Sequence, residues 1–217
     1  MQDLGTTLGS IGERRLQAAY GSEERAQRFY DTQVLDHLND TMRAFIGRQE
    51  MMFVATADDG GHCDATFRAG PPGFVAVLSD RQVAWPEYRG NGVLASLGNI
   101  STNGHAGLLF VDFQDSIGLH VNGRATIVEQ LAHEWLPVDP APGRRAERWV
   151  RVDVDEAYIH CRKHIPRLVK VPRDRSWGTD NPRSKGGDYF NVASARVPAA
   201  PRRWWHRLRK GTPDARE

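Results

Sequence analysis

Apolar residues recur at helical spacing in the first quarter of the chain. Val34, Leu35, Leu38, Met42, Phe45 and Ile46 would share one face of a helix. Residues 11–48 as a whole predict two or three helices packed on a following sheet. Ser22 ahead of Glu23 and Glu24 would cap one of them, because acidic groups favour a first turn.

At Met51 the period changes. Met51–Ala57 is a short apolar run, closed by the turn residues Asp58-Asp59-Gly60-Gly61. From Cys63 the chain alternates, with Cys63, Ala65, Phe67 and Ala69 on one side and Asp64, Thr66 and Arg68 on the other. Gly70-Pro71-Pro72-Gly73 breaks this strand. Phe74–Leu78 and Gln82–Trp85 predict a hairpin about Ser79-Asp80-Arg81. Ala106–Phe113, Ile117–Glu129 and Trp149–His160 predict three more strands, the second alternating Leu119, Val121, Ala125 and Ile127 with His120, Asn122, Arg124 and Thr126. Residues 131–144 carry Pro137, Pro140 and Pro142 and read as a loop. From Ser176 onward Gly, Pro, Arg and Lys accumulate, which predicts an irregular tail. About six or seven strands at hairpin spacing argue for a barrel or a sandwich.

Composition narrows the class. With 217 residues, 40% hydrophobic and 26% charged, the chain can bury a core as an ordinary globular protein. Lys+Arg is 29 and Asp+Glu is 27, so the net charge of +2 calls for neither nucleic acid nor an acidic membrane as partner. Two cysteines are too few for a disulfide framework, which makes a reducing cytoplasm the expected location. The first residues hold no apolar stretch after a basic start, so no signal peptide is expected, and no run reaches the roughly 20 apolar residues of a membrane helix.

Chemistry concentrates in Pro86-Glu87-Tyr88-Arg89-Gly90-Asn91-Gly92 and the segment after it. Val93, Leu94, Leu97 and Ile100 have helical spacing, and Asn91 stands where an N-cap would. A helix N-terminus is an anion site, because its first N–H groups lack partners and the dipole is positive there. Arg89 before it can offer a planar fork of donors to phosphate oxygens. Ser96 and Asn99 share a polar face of that helix, and Arg68 lies on the polar face of a strand beside Thr66. The same residues would equally make a solvated loop ahead of a capped surface helix.

Two further clusters carry groups with chemistry of their own. His160-Cys161-Arg162-Lys163-His164 holds three groups able to bind a metal, but no second cluster lies near in sequence. The simpler expectation is exposed strand-end histidines with a buried cysteine and no metal, and His62-Cys63-Asp64 reads in the same way. Arg202-Arg203-Trp204-Trp205-His206-Arg207-Leu208-Arg209-Lys210 reads as a docking or solvated tail rather than a nucleic-acid or membrane contact.

Five blocks in order carry a resemblance: Phe67–Phe74, Tyr88–Asn91, Ser96–Ile100, Gly107–Phe110 and His120–Ala125. Over roughly residues 44–165 the chain resembles the pyridoxamine 5'-phosphate oxidase-like proteins, in their flavin-nucleotide-binding branch rather than the true oxidases. Arg89-Gly90-Asn91 stands where the oxidases typically carry Ser-Arg-Lys, and Trp205-His206-Arg207-Leu208 only loosely echoes their substrate-gripping end. The resemblance implies a six-stranded Greek-key split β-barrel, and with the helices and tail read from the pattern the chain is expected to be mainly β with flanking helices (α+β): an N-terminal helical extension over 1–47, the barrel over 48–172 and an irregular basic tail over 173–217. The resemblance also implies a homodimer with flavin mononucleotide (FMN) at each of two sites between subunits. Arg68 and Arg89 would hold the phosphate, and Asn91, Ser96 and Asn99 would add polar contacts. Thr66 and Tyr88 would lie near the ribityl chain or ring, flanked by the backbone of Phe67 and Ala69. In a dimeric barrel a C-terminal aromatic can cover the partner's flavin, and Trp177 is one candidate for that place. The implied activity is an FMN-dependent oxidoreduction of a small molecule, with a nicotinamide reductant as one option. A non-catalytic flavin carrier or sensor, or a barrel holding haem or a deazaflavin, are the alternatives. No side chain demands a role as acid, base or nucleophile.

Overall fold

The computed structural model describes residues 8–132, 146–172 and scattered positions between 176 and 195. Most of the proline-containing loop after residue 132, Trp177 and the Arg202–Lys210 run lie outside the described residues. The chain divides into two compact units, residues 1–180 and 181–217.

The first unit opens with α1 (Ile11–Tyr20), started by a reciprocal capping box between Ser10 and Glu13 and closed by Gly21 in the left-handed conformation at φ 62°. In α2 (Glu23–Gln33), Ser22 is the N-cap residue but its side chain makes no capping bond. The run from Val34 to Ile46 does not share one helix face. Val34–Leu35 form the two-residue strand β1, Leu38 is fully buried in the connection, and a new helix, α3 (Asp40–Gly47), follows. Asn39 causes the break: its Oδ1 accepts from the Met42 N–H and starts the helix there. Leu38, Phe45 and Ile46 nonetheless all reach the core.

The remaining strands are β2 (Met51–Ala57), β3 (Cys63–Ala69), β4 (Ala76–Val77), β5 (Gln82–Glu87), β6 (His105–Asp112), β7 (Ile117–Val128) and β8 (Arg148–His160), with helix α4 (Ala95–Thr102) between β5 and β6. They form one antiparallel sheet in the order β3-β2-β6-β7-β8-β5-β4, with β1 also on β8. Six strands of six residues or more match the expected split barrel, and the two-residue β1 and β4 bring the count to eight. The strand expected over 74–78 shrinks to Ala76–Val77. Its start is consumed by a turn in which the Phe74 N–H donates to Pro71, and Phe74 then packs against Gly70 so closely that a Cβ there would lie 2.3 Å from its own. β5 runs two residues past Trp85 and includes Pro86. That proline is tolerated because β4 pairs only with Val83 and Ala84, leaving Pro86 at an edge on that side.

The inner face of this sheet supplies the core. Met52, Val54, Trp85, Leu108, Phe110, Val121 and Val150 are almost fully buried, with Phe45 and Ile46 of α3 and Leu97 and Ile100 of α4 against them. Alternation sends the other residues of β2 and β3 outward, where Phe53 and Phe67 pair across the strands. Both cysteines are exposed, not buried as expected: Cys63 opens the edge strand β3, and Cys161 follows the last residue of β8. Among the described residues no helix is long and apolar enough to cross a membrane.

Among its described residues the second unit holds a helical turn, Val192–Ala195, where an irregular chain was expected. The Asp188 carboxylate starts it by accepting from the N–H groups of Val192 and Ala193.

Candidate functional site

A cavity of about 540 Å³ opens between the edge strand β3, the end of β5, the 88–94 loop and the start of α4. That volume lies within the range of small-molecule sites, about 300–1,000 Å³. Asp64, Thr66 and Arg68 are alternate residues of β3, so they project together to the cavity side.

Arg68 organises the wall. Its Nε donates to Glu87 Oε1 at 2.8 Å, its Nη1 to Thr66 Oγ1 at 3.0 Å, and its Nη2 to Ser96 Oγ at 3.4 Å. Ser96 Oγ in turn donates to Asp64 Oδ2 at 2.9 Å. The same Glu87 oxygen accepts from the indole N–H of Trp85 at 2.7 Å. One guanidinium thus ties β3, β5 and α4 together in a single polar network. Glu87 pairs with Arg68 directly, while Asp64 adds a second carboxylate that is held only through the neutral hydroxyl of Ser96.

The loop departs from the sequence reading. Asn91 is not the N-cap of the helix: its Oδ1 accepts from the Val93 N–H, and α4 starts only at Ala95 behind Leu94, which has φ 57°. Gly92 at φ 82° and the left-handed Leu94 turn the chain before the helix can begin. Val93 and Leu94 are therefore exposed, while Leu97 and Ile100 carry the buried face. The first turn of α4, Ala95 to Leu97, lines the cavity. Its N–H groups have no acceptor within the helix, and the positive end of the dipole lies with them.

Of the nine residues singled out for a cofactor, all line this cavity except Asn99. Asn99 instead spends its amide on Thr56 Oγ1 at 3.0 Å, fastening α4 to β2. Phe67 and Ala69 belong to the opposite face of β3 and border the cavity as part of its edge. Two charged wall residues had no role assigned from the sequence. Asp64 shares the face of Thr66 and Arg68, a signal visible in the alternation. Glu87 was hidden because Pro86 made its neighbourhood look like a loop. Among the described residues no group of three or more His, Cys, Asp or Glu side chains is arranged to hold a metal ion.

The model of one family, pyridoxamine 5'-phosphate oxidase, matches residues 38–161. Among solved structures, HupZ of Group A Streptococcus is 22% identical with a TM-score of 0.44, over 56% of this chain and 93% of that one. An FMN-binding protein of Syntrophomonas wolfei is 10% identical with a TM-score of 0.41, over 67% and 95%. HutZ, the heme storage protein of Vibrio cholerae, is 12% identical with a TM-score of 0.37, over 56% and 94%. No curated protein matches.

Proposed function

The chain belongs to the pyridoxamine 5'-phosphate oxidase family, and from that premise we propose that its cavity binds FMN by the phosphate. One observation carries this reading: an arginine fixed in place by its neighbours and the first turn of a helix open onto the same cavity. Each recognises an anion by a different means, one with directed donors and one with backbone N–H groups and a dipole. Glu87 is engaged by Arg68 and Trp85 and Asp64 by Ser96, and the anion is received by the helix start and by Arg89, which also lines the cavity. Arg89, from the loop, brings the second cationic group to the phosphate. Thr66 and Tyr88 border the ribityl chain and ring.

When bound, FMN supplies hydride or one-electron transfer, and the protein's part is to hold and orient it. The reading extends to an FMN-dependent oxidoreductase working as a homodimer. The exposed pair Phe53 and Phe67, with ring centroids 5.4 Å apart, makes the outer face of β2 and β3 the surface for a second copy. That surface adjoins the cavity through β3, which belongs to both.

The test is an absorption spectrum of the purified protein, followed by titration of the FMN-free protein with FMN. FMN fluorescence should be quenched on binding, and Arg68→Ala and Arg89→Ala should each weaken binding by about tenfold or more, as loss of a charged hydrogen bond predicts. Colourless protein that takes up no FMN, with both variants behaving like the parent, would end this reading. Reduction of the bound flavin by NADH or NADPH then separates an oxidoreductase from a carrier.

A further inference from the structure

On the outer face of the sheet, away from the cavity, two histidines share one hydrogen bond. His120 Nε2 of β7 lies 2.8 Å from His160 Nδ1 at the end of β8. Gly118 makes the contact possible. It is the cross-strand partner of His160, and a Cβ at Gly118 would lie 2.6 Å from the His160 Cβ. The missing side chain leaves room for His160 over β7, where it meets His120 two residues along. The His120 ring also stacks on Tyr158, with centroids 4.7 Å apart and planes 19° apart. Tyr158 in turn meets Phe29 of α2 edge to face at 5.9 Å. An unbroken row thus runs from the end of β8 to the N-terminal helices: His160, His120, Tyr158, Phe29.

We propose that this row is an acid-operated catch, in which the His120–His160 bond keeps His120 stacked on Tyr158 and Tyr158 seating α2, and double protonation releases it. The bond needs one donor nitrogen and one acceptor nitrogen. A neutral or singly charged pair can supply both, whereas two imidazolium rings present only donors. With both rings charged, two like charges face each other across 2.8 Å and the bond is lost.

The surroundings set the range. His120 has its pKa held below the usual imidazole value, first by burial and then by the charge of His160. A histidine held down in this way favours the folded arrangement above its unfolded pKa, about 6.5. That contribution is lost as pH falls from there through the lower folded value. The catch is therefore closed at neutral pH and opens on acidification. The groups about the row are Glu156 and Tyr158 on β8, Glu13 on α1, Arg25 and Tyr30 on α2, and Arg162, Lys163 and His164 in the turn after His160. β6 opposes His120 with the apolar Leu109, and Asn122 on β7 donates to Glu156. None of these acidic groups has a hydrogen bond to either imidazole among those described. The proposal does not depend on the flavin reading.

The test uses the full chain. Hydrogen exchange of the α2 amides is followed from pH 7.5 to 5.5 and corrected for the intrinsic pH dependence of exchange, while NMR follows the imidazole and Phe29 ring signals. The parent should show exchange in α2 rising on the order of fivefold or more, in step with the His120 titration and with a shift of the Phe29 ring. His160→Gln keeps a hydrogen-bonding side chain that cannot charge, and it should abolish the rise. His120→Phe keeps a ring against Tyr158 and should also leave α2 protected at both pH values. No acid-dependent rise in the parent, or an equal rise in both variants, would overturn the catch.

Discussion

Arg68 and Glu87 stand on strands that never pair with each other, yet Arg68 Nε lies 2.8 Å from Glu87 Oε1. β3 ends the sheet on one side, and β5 lies next to the other end. The ion pair therefore spans the opening of the split barrel, beside the cavity, and holds its two lips at a fixed distance.

Glu87→Ala would leave the Arg68 guanidinium, whose side chain is only 20% exposed, without its counter-charge. Removing one partner of a buried pair costs about 3–5 kcal/mol, and the bonds from Arg68 to Thr66 and Ser96 place the cost near the lower figure. Urea unfolding should show a lower midpoint at unchanged slope. Glu87→Gln, which can still accept from Trp85 and Arg68, should lose less. Equal midpoints for Glu87→Ala and the parent would show that the pair carries no stability.

Two glycines should respond in opposite senses to alanine. A Cβ on Gly123, at the bulge between β7 and β8, would lie 2.1 Å from the backbone oxygen of Asp153. Gly123→Ala should therefore cost about 1–3 kcal/mol or more through strain. Gly98 lies inside α4 with nothing within 4 Å of its missing Cβ. Gly98→Ala should gain up to about 1 kcal/mol from helix propensity. Thermal melts of the two variants should move to either side of the parent.

Acid should loosen the connection before α3 through Asp36. Hydrogen bonds first from His37 and then from Arg81 hold its pKa down to about 2. A depressed carboxylate stabilises the fold above its unfolded pKa of 3.8 and loses that contribution as pH falls through about 2. Asp36→Asn should accordingly flatten the fall in stability between roughly pH 4 and pH 2. Acid titration by circular dichroism checks this; an identical acid limb in the variant would assign that limb to other carboxylates.

The second-copy surface predicts that a charge at its centre will separate subunits. Phe53 is 41% exposed and Phe67 is 48% exposed on adjacent strands. Phe53→Asp should convert a dimer into monomer at micromolar concentration, because an unpaired carboxylate cannot be buried cheaply. Sedimentation velocity reads the outcome, and a parent that is already monomeric would remove the assignment.

Period and punctuation in the chain narrowed the fold to a barrel or a sandwich with helices ahead of it. An apolar run closed by a turn marked β2, and alternation marked β3, β7 and β8 and placed Arg68 and Thr66 on one face, because strand geometry depends on neighbouring residues. Motif order then pointed to the family and to the Arg89 loop. Tertiary structure decided what local pattern could not. It split the apolar run at Asn39, moved the helix start from Asn91 to Leu94, and turned Asn99 away to Thr56. It also brought Glu87 to Arg68 across 19 residues and His160 to His120 across 40. Such pairings rest on how the sheet is ordered and on the empty space at Gly118. Both are set by long-range packing rather than by any residue's own preference.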